Sequence, residues 1–313
     1  MLTTFEPDVH GFHFPNTFST TLLPSWGWGP LRTPQVALGG LCGGMTFAAL
    51  DYYFAGSPVP THVPDDYPPP GVPPATSRLR DEILRRHLTS VGLEPSANGI
   101  PVPGQSLRVK PADLHNLLAY PRLRVASTST LRTTLATELS RAAEALGAGR
   151  PIPIGLVSPG NLFSSHQVVA VGLDAGGATS TLYLYDCRSP GVTATLTVTP
   201  SPPSCVLEAP GDPPESWRAF FVERYEARTP AYVDLVLAGP VAIADGVASF
   251  DVRNAGDADA HAEAITVSGA DAAREPVGVL TPGASVHYEH AVSAAGAAVY
   301  LDAAGRSFPL PAG

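Results

Sequence analysis

Gly39-Gly40-Leu41-Cys42-Gly43-Gly44-Met45-Thr46-Phe47-Ala48-Ala49-Leu50-Asp51-Tyr52-Tyr53-Phe54-Ala55-Gly56 joins a glycine-rich turn, one cysteine and an apolar run with helical spacing. Met45, Ala48, Ala49 and Tyr52 recur at i, i+3, i+4 and i+7, one face of a helix. Gly56, with Pro58 just beyond it, is a C-terminal stop signal. Cys42 is therefore expected in the first turn, where backbone N–H groups are free and the helix dipole favours negative charge. Thiols at such positions ionise more easily, and the thiolate is the nucleophile. Glycines on both sides let a substrate approach the backbone closely. The plainer alternative is a cysteine that fills space in the core, as most free cysteines do.

The other bulk features narrow the function class. The chain has 313 residues, 44% of them hydrophobic, enough for one large domain or two ordinary ones. Charged residues make up 15% and the net charge is −9, which argues against nucleic acid or an anionic membrane surface as partner. No apolar run reaches the length of a membrane span. The N-terminal residues lack a basic segment followed by an apolar one, so no signal peptide is expected. The default expectation is a cytoplasmic protein; export by a non-classical route would look the same. Cys42, Cys187 and Cys205 are too few, and odd in number, for a disulfide framework or a zinc site.

Along the chain, residues 1–38 read as loops and short extended pieces. His10 and His13 stand three apart with only Glu6 and Asp8 nearby, a poor metal set. Residues 57–76 contain eight prolines and are either the rim of a cleft facing Cys42 or a surface polyproline connection. Helices are expected over 77–93, with Arg78, Arg80, Arg85 and Arg86 on a solvated face, over 111–118, and over 129–146. From Pro151 the texture becomes that of strands: 151–157, 166–173, 179–186 and 191–200. Residues 201–215 read as a proline-rich loop holding Cys205, and 217–225 as an aromatic strand closing the domain. Beyond residue 231 short alternating runs follow one another between Gly, Asp, Asn and Pro, the spacing of a β-sandwich.

Folding the 166–186 hairpin symmetrically about Gly176 makes opposed residue numbers add to 352 and sets His166 against Asp186. A carboxylate across the ladder can hold an imidazole in one tautomer and stabilise its protonated form. A slip of one residue would send the two side chains to opposite faces.

Gly40-Leu41-Cys42-Gly43-Gly44 opening a helix, then His166-Gln167-Val168-Val169-Ala170-Val171-Gly172, then Leu182-Tyr183-Leu184-Tyr185-Asp186, resembles the papain-like cysteine peptidase superfamily. Within it the chain is similar to the bacterial branch of bacteriocin-leader-processing (double-glycine) peptidases. The resemblance implies an α+β fold: a papain-like domain over 1–230, with Cys42 on a helix N-terminus and an antiparallel sheet carrying His166 and Asp186. An immunoglobulin-like β-sandwich over 231–313 completes the expected architecture. It further implies Cys42 as nucleophile, His166 as general base and acid, Asp186 as orienter and Gln35 as oxyanion-hole amide. The expected activity is cofactor-free and metal-free hydrolysis of peptide or amide bonds in a peptide or protein substrate. Two alternatives stay open: acyl transfer or crosslinking on the same triad, and a non-catalytic binding or adhesion protein with a degenerate peptidase domain.

Overall fold

The computed structural model describes residues 1–23, 36–94, 108–109, 114–161, 164–268, 274–292, 297–303, 306–311 and 313. The chain is mixed α+β, with a helical N-terminal part and antiparallel sheets. The helices are α1 (Pro7–His10), α2 (Cys42–Ala55), α3 (Arg78–Ser90), α4 (Leu114–Arg124) and α5 (Thr128–Gly147). The α2 helix begins at Cys42 and stops at Gly56, whose φ of 63° lies in the left-handed region open to glycine. Its expected single apolar face is a correction: every residue from Gly43 to Tyr52 is buried, because α2 lies between the main sheet and α3. Gly44 makes that crossing close, since a Cβ there would lie 2.0 Å from the Ile83 carbonyl oxygen.

Ser77 and Ser127 cap α3 and α5, each accepting a backbone N–H from three residues on. Arg86 departs from the solvated face expected of it. It is buried, ion-paired to Asp51 at 2.6 Å and stacked over Phe47 and Tyr225. Asp51 also accepts the Tyr225 hydroxyl and the Arg228 N–H, so α2 anchors the segment leading out of the sheet.

Short strand pairs come first: β1 (Ser19–Leu23) with β2 (Val36–Gly39), and β3 (Leu93–Glu94) with β4 (Arg108–Val109). The main sheet contains β5 (Ile152–Val157), β6 (His166–Gly176), β7 (Thr179–Tyr185), β8 (Thr193–Pro200), β9 (Pro203–Glu208), β10 (Glu215–Trp217) and β11 (Ala219–Val222). Its seven strands run antiparallel in the order β10-β9-β8-β7-β6-β5-β11. Only Arg218 separates β10 from β11, yet they occupy opposite edges, so the sheet curls until its edges meet there. Arg218 N–H donates to the Val157 carbonyl at 2.9 Å. Two expectations are corrected. Residues 203–208 form β9 rather than a loop, with Cys205 buried opposite Val198, and the run 217–225 is divided between the two edges. One face of the sheet buries Val168, Ala170, Leu182, Leu184, Leu196 and Val198 against α4 and α5. The other buries Val169, Val171 and Tyr185 against α2, α3 and the N-terminal aromatics Phe5, Phe12 and Phe14.

The hairpin register also differs from the symmetric one. Near the turn, partner numbers add to 355, as for Leu173 with Leu182; beyond it they add to 354, as for Ala170 with Leu184. Val171 is the extra residue, a β-bulge. An odd sum would place His166 and Asp186 on opposite faces; the bulge makes it even and returns them to one face as diagonal neighbours. Thr3 holds the bulge, its N–H and hydroxyl both donating to the Val171 carbonyl at 2.9 Å. Gly172 admits that segment, since a Cβ there would lie 2.4 Å from Leu2 Cδ2.

The remaining strands are β12 (Leu235–Leu237), β13 (Ala242–Ala244), β14 (Val247–Asn254), β15 (Ala260–Ala262), β16 (Ala264–Val267), β17 (Arg274–Glu275), β18 (Gly278–Leu280), β19 (Ser285–Ala291), β20 (Val299–Ala303) and β21 (Arg306–Pro309). Sheets of β12-β14-β13 with β19, and of β17-β16-β20-β21, enclose a core that includes Phe250, Val252, Ile265, Leu280 and Leu301. The alternating stretch 261–268 divides at Glu263, because β15 pairs with β18 and β16 with β17 and β20.

The proline-rich segment straps this part to the first. Thr61 donates its N–H and hydroxyl to Asp234 at 2.6 and 2.8 Å. His62 lies between the Tyr232 hydroxyl at 2.6 Å and the Asp259 carbonyl at 2.7 Å, and His261 meets Asp66 at 2.8 Å. Among the described residues no helix is long and apolar enough to cross a membrane.

Candidate active site

Cys42 is the first residue of α2 and is half-buried. The turn before it is fixed by Asn16, whose Oδ1 accepts the Leu41 N–H at 2.7 Å, and by Gly40 at a φ of 112°. The first turn of α2 packs unusually tightly on the sheet. A Cβ on Gly43 would lie 2.0 Å from Gln167 Oε1 and 2.2 Å from Ser90 Oγ.

His166 opens β6, and Asp186 is the first residue past β7. His166 Nε2 and Asp186 Oδ1 are 2.8 Å apart, with side chains 6% and 1% exposed. The Cys42 side chain is close enough to the same imidazole to favour its charged form. With Nε2 committed to the carboxylate, Nδ1 is the ring nitrogen left for the sulfur. Burial works against a charged imidazole, but the Asp186 carboxylate and the Cys42 contact outweigh it and lift His166 to about 9. Burial likewise opposes the Asp186 charge, and His166 and Arg188 overcome it, holding the carboxyl well below the usual range. The three side chains that the sequence singles out thus meet, although the predicted ladder register is not the one that brings them together. Gln35 lies outside the described residues.

Six further residues, which the sequence alone does not single out, shape this site. Arg188 grips Asp186 through Nε and Nη2, at 3.2 and 2.9 Å from Oδ2, and donates Nη1 to Glu215 at 3.0 Å. Trp217, delivered by closure of the sheet, stacks on His166 with ring centres 6.2 Å apart at 26°. Beneath Gly43 runs a buried polar chain: Ser90 donates to Gln167 Oε1, Gln167 Nε2 donates to both oxygens of Glu223, and Tyr120 donates to Glu223 Oε1. Burial pushes Glu223 up to about 8. Gln167 and Glu223 did carry a signal, as polar residues inside apolar strand runs that demand buried partners. Arg188 and Trp217 carried none, because their contacts depend on how the sheet curls.

Among the described residues, only His166, Asp186 and Cys187 bring three metal-capable atoms within 4.8 Å of one another. Their chemistry suits a cation poorly. Asp186 already receives the His166 ring, the Arg188 N–H and the Arg188 guanidinium, which fills its lone pairs. Burial also pushes the Cys187 thiol well above its ordinary range, away from the thiolate that metals bind. Compared with known proteins, the chain matches no family model, no curated protein and no solved structure.

Proposed function

We propose that this protein is a papain-like thiol hydrolase that cleaves peptide or amide bonds, and that residues 231–313 form an immunoglobulin-like sandwich attached to it. The observation that carries the proposal is a buried His166 with one face on Asp186 and the other on a cysteine at a helix N-terminus. Cys42 Sγ attacks the carbonyl carbon with its proton already on His166 Nδ1, the state that an imidazole lifted to about 9 favours. Collapse of the tetrahedral intermediate sends that proton to the leaving amine and leaves a thioester on Cys42. Water then attacks the thioester, giving one proton to His166; that proton returns to sulfur as the acid departs, and the acid releases its remaining proton to water to become the carboxylate. Asp186 keeps the ring in the tautomer with its proton on Nε2 and stabilises the imidazolium. Arg188 and Trp217 hold the Asp186–His166 pair still and dry.

Cys42→Ala should abolish peptide hydrolysis, iodoacetamide alkylation and labelling by a peptidyl vinyl sulfone, with the circular dichroism spectrum unchanged. A wild-type Cys42 that reacts no faster than an ordinary exposed thiol overturns the proposal.

A further inference from the structure

Asn16 stands far from Cys42 in sequence, yet both halves of the site hold it. Its backbone N–H donates to the carbonyl of Cys187, the residue after Asp186, at 2.9 Å. Its Oδ1 accepts the Leu41 N–H at 2.7 Å at the start of α2. A backbone N–H can only donate, so the amide oxygen must face Leu41 and the orientation of the NH2 group is fixed. The carboxamide lies over Gly40, where a Cβ would be 2.8 Å from Nδ2. Glycine is therefore needed at 40 twice over, for its φ of 112° and for the room it leaves the amide. Nδ2, with two N–H groups, makes no hydrogen bond to any described residue.

The Cys42 N–H is one of the first donors of α2, and such donors have no carbonyl partner within their helix. Gly40 and Cys42 are two residues apart, at most about 7 Å between Cα atoms. Two donors with no partner among the described residues thus flank the turn that carries Cys42, whose attack on a carbonyl would develop an oxyanion. We propose that Asn16 is a catalytic residue whose Nδ2–H, together with the Cys42 N–H, forms the oxyanion hole. This rests on the thiol-hydrolase proposal above.

Two variants separate this role from mere packing. Asn16→Asp keeps an oxygen for the Leu41 N–H and removes the donor; Asn16→Ala removes the donor without adding charge. Each is treated with iodoacetamide, whose displacement at a saturated carbon forms no oxyanion. Each is also mixed with the p-nitrophenyl ester of an N-blocked glycine, whose acylation burst passes through one. Removing an oxyanion donor costs roughly 10²–10³-fold. The expected result is a loss of that size in the burst rate of both variants, with iodoacetamide alkylation of Cys42 within about tenfold of wild type. Equal bursts in variants and wild type overturn the assignment, and so does a parallel loss of alkylation, which would mark Asn16 as structural. A wild type that neither alkylates rapidly nor gives a burst overturns the hydrolase proposal itself, a distinguishable failure.

Discussion

Asp186→Asn tests the electrostatics of the site most directly. His166 is held at about 9 against an ordinary 6.5, net of the burial that opposes it. At about 1.4 kcal/mol per pH unit, that lift favours the imidazolium by roughly 3 kcal/mol. Asparagine cannot replace the carboxylate. If its oxygen accepts His166 Nε2–H, its NH2 faces the Nε and Nη2 donors of Arg188; turned over, the NH2 faces the ring and forces the proton off Nε2. With the charge gone, burial remains the main influence on the ring, which should titrate below 6.5. For a histidine raised on folding, the stabilisation is complete below the unfolded value and disappears as pH rises through the folded one. The variant should therefore lose roughly 3 kcal/mol near pH 5.5, and the gap to wild type should narrow by pH 9.5. Histidine Cε1–H titration by NMR reads the first effect, and urea unfolding at the two pH values the second. A wild-type His166 that titrates at or below 6.5, or a stability gap that does not narrow, would refute this account.

Gly43→Ala should destabilise the protein by about 1–3 kcal/mol and slow Cys42 alkylation, because its Cβ would overlap Gln167 and Ser90; thermal unfolding and the labelling rate read both. Glu223 is raised on folding to about 8, so the folded state retains a proton that the unfolded chain releases above 4.5. Wild-type stability should accordingly fall as pH climbs from 4.5 to 8, and Glu223→Gln should flatten that part of the curve in urea titrations; an unchanged slope would count against it. Tyr232→Phe leaves His62 Nε2 without its 2.6 Å partner between the two parts of the chain. It should cost about 1–3 kcal/mol in a denaturant titration.

What could be read from the sequence was local. The α2 boundaries follow from a cysteine after two glycines and from Gly56 at the far end, signals that need no knowledge of the fold. His166 and Asp186 stood out because charge at the end of an apolar strand needs a partner, and that held although the proposed register did not. Most strands beyond residue 231 were legible from alternation alone, but the break at Glu263 depends on which sheet each half joins. Cys205 was misplaced because Pro202 and Pro203 disguise the start of β9, whose alternate residues Cys205 and Leu207 are core. Arg86 was misplaced because helical spacing does not reveal a buried acid on a neighbouring helix.

The non-local contacts are the ones that turn a plausible list of residues into a site. Without the bulge at Val171, the strand geometry would separate His166 from Asp186, and that bulge is held by Thr3 from across the chain. Trp217 reaches His166 only because one residue, Arg218, carries the chain from one edge of the sheet to the other. Asn16 fixes the turn before Cys42 from one side and the carbonyl after Asp186 from the other. Each tie fastens a chemically ordinary segment to one member of the Cys42–His166–Asp186 group. A packing role alone would be met by any apolar contact of the right volume. Directed hydrogen bonds at these points instead constrain orientation, the property a nucleophile and its base require and a hydrophobic core does not.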